Sequence, residues 1–92
     1  MGTFHQGKGE LHGITVVVET DGSELFVGRC DAVTERGVIL LDADVHRAGG
    51  EGPSREEYLE RAARFGVWGR IKHLVVPRDR VTSIRRLGDV GS

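Results

Sequence analysis

The sequence predicts a mainly β protein: a small, strongly bent antiparallel barrel of five strands, with a short helical insertion between strands 3 and 4. Three observations carry that prediction. Apolar residues alternate with a period of two through β-branched stretches, as in "ITVVVET" at residues 14–20. Turn-forming clusters separate such stretches at short intervals. One segment alone, residues 54–65, changes to helical spacing behind a capping signal.

The elements follow in order. In the first strand Ile14, Val16 and Val18 share one face, and Thr15, Val17 and Glu19 the other. Asp21 and Gly22 offer the positive φ angles of a tight hairpin turn. The second strand, "ELFVGRCDAV", places Phe26, Cys30 and Ala32 on one face and carries Gly28 in its middle, where a bend or a close backbone approach is expected. After the turn "TERG", "VILLDADV" is apolar enough to be a central third strand. Ser54 and Glu57 form a capping box for a helix over residues 54–65, stopped by Gly66, with Tyr58, Ala62 and Phe65 as its packing stripe. The fourth strand is "VWGRIKHLVVP" and the fifth "RVTSIRRL", joined through the tight turn "PRDR". The chain of 92 residues is thus one domain: residues 12–46 hold strands 1–3, 47–66 the loop and helix insertion, 67–87 strands 4–5, and 88–92 a frayed tail. The insertion reads as an addition to the barrel whose removal leaves a folded protein.

Composition narrows the function classes. With 38% hydrophobic and 29% charged residues the chain is of globular type, and no apolar run approaches a membrane span. The first thirteen residues lack the apolar centre of a secretory signal and Cys30 is the single cysteine, so the expected compartment is the cytoplasm. The net charge of -1 argues against bulk attraction to nucleic acid. Its distribution is uneven: residues 1–54 carry four basic against nine acidic side chains, and residues 55–86 nine basic against four acidic. Those halves suit an anion-binding surface, pairing between subunits, or a mixed solvated surface.

The run "HGITVVVETDGSELFVGRCDAVTERGVILLDA" resembles the first motif of the Sm and Sm-like proteins, and "LVVPRDRVTSI" resembles the second. The two blocks cover about half the chain, with the insertion at the family's variable loop. The resemblance implies an SH3-like (Sm-like) barrel, a homo-oligomeric ring in which the fourth strand of one subunit pairs with the fifth of the next, and binding of single-stranded RNA. Family members that bind uridine-rich RNA use an Asp and an Asn in the loop after the second strand and an Arg-Gly pair before the last strand. Here Thr34 and Gly37 stand near the first two positions, with Arg36 between them, and Pro77 and Arg78 stand at the pair. Lys72 and His73 are similar to the Lys-His pair of the bacterial Sm-like RNA chaperone, in a register that leaves "RDRVTSIRRL" unused as a strand. The RNA-contacting candidates are therefore Thr34, Arg36, Gly37, Lys72, His73, Arg78 and Arg80, acting through phosphate because the base-reading residues are missing.

Other residues read more simply. Arg85 and Arg86 blunt the edge of the last strand. Trp68 suits a barrel core or subunit interface, or a base stack. Cys30 is a small core residue. Asp42 and Asp44 share a strand face, where they suit a general base, solvation or pairing with arginine. His5, His12, His46 and His73 lie in separate elements without metal-ligand spacing, so neither metal nor cofactor is expected. With no catalytic constellation, an enzyme is not expected. Two readings stand close together: an Sm-like ring with phosphate-directed RNA binding, and an SH3-like module that binds a protein partner or serves a structural role.

Overall fold

The structure, a computed structural model, describes residues 11–47, 49 and 52–90. Residues 1–10 with His5, parts of the Gly-rich approach to the helix (48, 50 and 51) and the end of the tail (91 and 92) lie outside the described residues.

The chain runs β1 (Thr15–Thr20), β2 (Glu24–Thr34), β3 (Gly37–Arg47), α1 (Arg55–Phe65), β4 (Ile71–Pro77), a 3₁₀ turn (Arg78–Arg80), β5 (Val81–Arg86) and a second 3₁₀ turn (Leu87–Asp89). All ladders are antiparallel, and the five strands form one sheet in the order β4-β3-β2-β1-β5. The fold is therefore mainly β with one short helix between the third and fourth strands, as expected. Closure into a barrel is not found among the described residues: β4 and β5 stand at the two edges of the sheet, with no ladder joining them. The fourth strand is shorter than expected, beginning at Ile71 rather than at Val67.

The bend expected at Gly28 is there, and its cause is visible. Between Val27 and Arg29 the β2–β3 register slips, because β3 carries an extra residue opposite Gly28. Asp42 supplies it, with a positive φ of 50° that breaks the alternation of the strand. A side chain at Gly28 would place its Cβ 2.8 Å from the Ala43 Cβ and 2.9 Å from the Ala43 Cα, so only glycine permits this approach. A second slip between Cys30 and Ala32 adds a residue to β2.

The core lies on both faces of the sheet. Val16, Val18, Cys30, Val33, Val38, Leu40, Ala43 and Val76 form the larger cluster, with Phe26, Leu74 and Ile84 among the residues packed on it. Burial, and then the neighbouring charge of Asp31, raises the Cys30 thiol above its usual range, as suits a core cysteine. On the other face Val17, Leu25 and Val27 are covered by Leu59 and Ala62 of α1 and by Leu87. Two expectations fail here for one reason. The helix is part of the core rather than an addition to the barrel, and within the tail expected to fray Val90 packs beside the buried Leu87, while residues 91 and 92 lie outside the described residues. The hydrophobic surface of β1 and β2 faces both ways and needs both covers.

Helix α1 starts and stops as its sequence dictates. Ser54 Oγ accepts from the Glu57 N–H at 3.2 Å, and Glu57 Oε1 accepts from the Ser54 N–H at 3.2 Å. At the other end the Gly66 N–H donates to the Ala62 carbonyl at 2.8 Å, with φ 78° at Gly66. The packing stripe differs from expectation: Leu59 and Ala62 are buried, Tyr58 is half-buried, and Phe65 is 81% exposed. Tyr58 stacks on His46 with ring centroids 4.7 Å apart and planes 18° apart, which ties the helix to the end of β3. Burial, and secondarily the charge of Asp44, pushes the Tyr58 phenol up to about 12.

Three outcomes follow from this packing. Leu59→Ala is expected to cost about 2 to 5 kcal/mol, read from the urea midpoint, because it opens a cavity over Val17 and Val27; an unchanged midpoint would return the helix to the status of an ornament. Gly28→Val is expected to destabilise by at least about 1 to 3 kcal/mol, since its side chain has to displace Ala43 from the β3 bulge. Ultraviolet titration of Tyr58, the single tyrosine of the chain, is expected to reach half-ionisation at about pH 12 in the folded protein and at about pH 10 in urea. The unfolded chain loses that proton first, so stability falls as pH rises above about 10.

Candidate nucleic-acid interface

The loop residues singled out by the sequence fall into three places. The first is the junction of the β2–β3 and β4–β5 turns. Gly37 pairs with Pro77 at the end of the β3–β4 ladder, and the Arg78 N–H donates to the Arg36 carbonyl at 3.1 Å. Gly37 is buried at φ 149°, and any Cβ there would fall on the Val76 carbonyl oxygen, so the two turns are locked backbone to backbone. Thr34 is used inside its own turn: its hydroxyl accepts from the Arg36 N–H at 3.1 Å and donates to the Gly37 carbonyl at 3.4 Å. Around the junction, Glu35, Arg36, Arg78 and Asp79 line an open depression of about 430 Å³. Thr34, Arg36, Gly37 and Arg78 are thus brought together. Two carboxylates absent from the expected set, Glu35 and Asp79, come with them, leaving the depression balanced at two positive and two negative side chains.

Arg80 is drawn elsewhere. Its guanidinium donates to Asp21 at 3.4 Å and to Glu24 at 3.2 Å, and its carbonyl accepts from the Asp21 N–H at 2.9 Å. It clasps the β1–β2 hairpin to the start of β5 and is not among the residues that line the depression. The hairpin turn also departs from expectation, since neither Asp21 nor Gly22 has a positive φ. Three residues span from the end of β1 to the start of β2, held by the Thr20 hydroxyl, which donates to the Glu24 carbonyl at 2.7 Å and accepts from the Gly22 N–H at 3.3 Å.

Lys72 and His73 form the third place. Both are exposed on β4, and His73 lies opposite Leu41 in the ladder, four residues before the Pro77–Gly37 pair. At roughly 3.3 Å per residue, that separates His73 from the loop junction by about 13 Å. Residues 81–86 are used as β5 against β1, so the chain does not adopt the register that would leave them idle.

The acidic and basic halves of the sequence meet within one chain. Glu19 receives Arg55 at 3.3 Å and Arg85 at 2.9 Å, while Arg80 joins Asp21 and Glu24, so three arginines of the basic half converge on the β1–β2 hairpin of the acidic half. Arg85, expected as an edge charge, is therefore also a partner of Glu19. Water and salt screen such exposed pairs, so they orient the segments more than they stabilise them. Beside this network runs a groove of about 670 Å³ between α1 and β5, floored by Leu59, Ala63 and Val90 and walled by charged side chains. No sequence signal pointed to it, because its walls come from β1, α1 and β5, three elements far apart along the chain.

The remaining candidates sort readily. Asp42 pairs with Arg29 at 3.2 Å, and Asp44 accepts from the Val45 N–H at 3.0 Å; the bulge at Asp42 removes the shared face expected of them. His12 Nδ1 lies 2.6 Å from the Asp31 carbonyl and His46 stacks on Tyr58. Among the described residues no three His, Cys, Asp or Glu side chains gather as a metal would need. Trp68 is not in the core: it is 84% exposed, in the connection between α1 and β4. Gly66 and Gly69, on either side of it, both have positive φ, which takes this segment out of the strand expected to begin at Val67.

No helix among the described residues is long and apolar enough to cross a membrane. No protein-family model, no curated protein and no solved structure matches the chain.

Proposed function

We propose that this chain assembles head to tail into a closed homo-oligomer, and that the turns meeting at Arg36 and Arg78 contact the phosphates of single-stranded RNA. The observation that carries the assembly is the sheet order, which among the described residues leaves β4 and β5 at opposite edges with no strand on their outer sides. Pairing the β4 edge of one copy with the β5 edge of the next satisfies both and, when the rotation closes, gives a ring. The bends at Gly28 and Asp42 are the devices that curl such a sheet toward the strongly bent SH3-like barrel of the Sm-like resemblance. The observation that supports the RNA contact is the backbone bond between the two turns, which holds Arg36 and Arg78 beside one depression.

The chemistry of that depression sets the mode of binding. Two guanidiniums reach phosphate oxygens in a fork geometry, but Glu35 and Asp79 oppose the same anion. A single subunit therefore binds weakly, and the repetition of the depression around a ring supplies avidity. No Asp or Asn faces the depression from the β2–β3 turn to read a base, so uridine has no advantage over adenine. The exposed Phe65 and Trp68 favour a second reading, a protein-interaction module of the same fold.

Light scattering across a concentration series is expected to give one closed multiple of the 10.1 kDa subunit mass; a monomer throughout moves the balance to the interaction module. Fluorescence anisotropy is expected to show equal, salt-sensitive binding of oligo-uridine and oligo-adenine. Arg36→Ala and Arg78→Ala are each expected to weaken both about equally and to flatten the salt slope by about 1 for every phosphate that the strand no longer pairs with an arginine. Tight, uridine-selective binding at physiological salt would contradict the phosphate mode.

A further inference from the structure

Resting on the single-stranded RNA reading above, but at a separate place on the subunit, we propose that Phe65 and Trp68, with Arg61, Arg64, Arg70 and Lys72 beside them, form a stacking surface for the bases of the strand. Three observations converge on it, and the first is charge. Residues 61–78 are the longest stretch of the chain without an acid and carry five basic side chains, in a protein whose net charge is -1. Arg61, Arg64, Arg70 and Lys72 are exposed and make no ion pair among the described residues, whereas five other arginines each hold a carboxylate. Glu60, one helical turn before Arg64, does not pair with it. Asp42, against which Gly69 packs, is already taken by Arg29 at 3.2 Å.

The second observation is the exposure of both aromatic side chains, 81% for Phe65 and 84% for Trp68. They are three residues apart, at most about 11 Å along the backbone, so one strand can lay bases on both. Arg61 stands one turn before Phe65 on the same face of α1. The third observation is how the segment is held. Val67 packs inward on the cluster beneath α1, and Gly69, at φ 68°, lies so close to the β3 bulge that a Cβ there would come within 3.1 Å of Asp42. Trp68 sits between these two anchors, so the backbone that presents the indole is ordered before any ligand arrives. Exposed aromatic side chains alone suit a protein partner equally well; unpaired cations around them with no acid between favour an anionic strand. Every base has a π face, so such stacking is indifferent to sequence.

Trp68 is the single tryptophan of the chain, so its emission reports on this surface alone. Oligo-uridine and oligo-adenine are each expected to quench it at low salt, in step with the anisotropy of the labelled strand. An abasic strand of the same length, which keeps the phosphates and lacks the bases, is expected to leave it bright. Trp68→Ala is expected to weaken binding about 10-fold and Trp68→Phe to restore most of the loss. Arg70→Ala is expected to flatten the salt slope by about 1. Binding that Arg36→Ala weakens but Trp68→Ala does not would overturn this surface and leave the contact at the two turns standing; the reverse pattern would support this surface and overturn that contact. No binding of any strand at low salt would overturn both. Equal quenching by the abasic strand would remove the bases from the interaction, and equal quenching by oligo-glutamate would assign the surface to an acidic protein segment; either overturns the stacking.

Discussion

Val16, Val17 and Val18 are consecutive, and none has exposed surface. A strand sends successive side chains to opposite faces, so β1 demands apolar cover on both sides of the sheet at once. Nearly everything else in the fold answers that demand. On one face side chains from all five strands gather into a single cluster beside the irregularity at Gly28 and Asp42; the other face is covered by α1 and the residues after β5. Fully burying a valine is worth about 1.5 kcal/mol or more, so neither cover is dispensable in a domain whose whole stability is of order 5–15 kcal/mol.

This constraint also explains what was legible in the sequence. Period-two alternation located the strands, the capping box located the start of the helix to within one residue, and Gly28 announced the bend, because each is a local pattern with a local cause. The role of α1 was not legible for the same reason. Leu59 and Ala62 pack on Val17, Leu25 and Val27, residues more than thirty positions away, and nothing in either stretch names the other. Helical spacing pointed to Tyr58, Ala62 and Phe65 and missed Leu59; which residues of the helix are buried depends on how it lies on the sheet.

At the candidate interface the division is similar. The meeting of the β2–β3 and β4–β5 turns was implied by a family resemblance and is produced by the β3–β4 ladder, which ends at Gly37 and Pro77. The diversion of Arg80 to Asp21 and Glu24 was hidden, since ion pairs across 56 to 59 residues leave no trace in spacing. Charge counts by halves hinted at it: the acidic hairpin and the basic C-terminal segment complement one another within the subunit, which leaves less of either charge for a partner.

The ladder between β1 and β5 joins Thr15–Thr20 to Val81–Arg86, nearly the two ends of the described chain. During synthesis β1 emerges well before its partner strand β5 and before Leu87, which helps cover Val17. The hairpin of β1 and β2 therefore waits, with Val17 and Leu25 bare, until α1, β5 and Leu87 have followed it out of the ribosome. Such long-range closure is the slow kind. Glu19, Asp21 and Glu24, the acids that receive three arginines in the folded chain, also put charge on that bare hairpin, and charge beside an exposed apolar strand opposes its association with other chains.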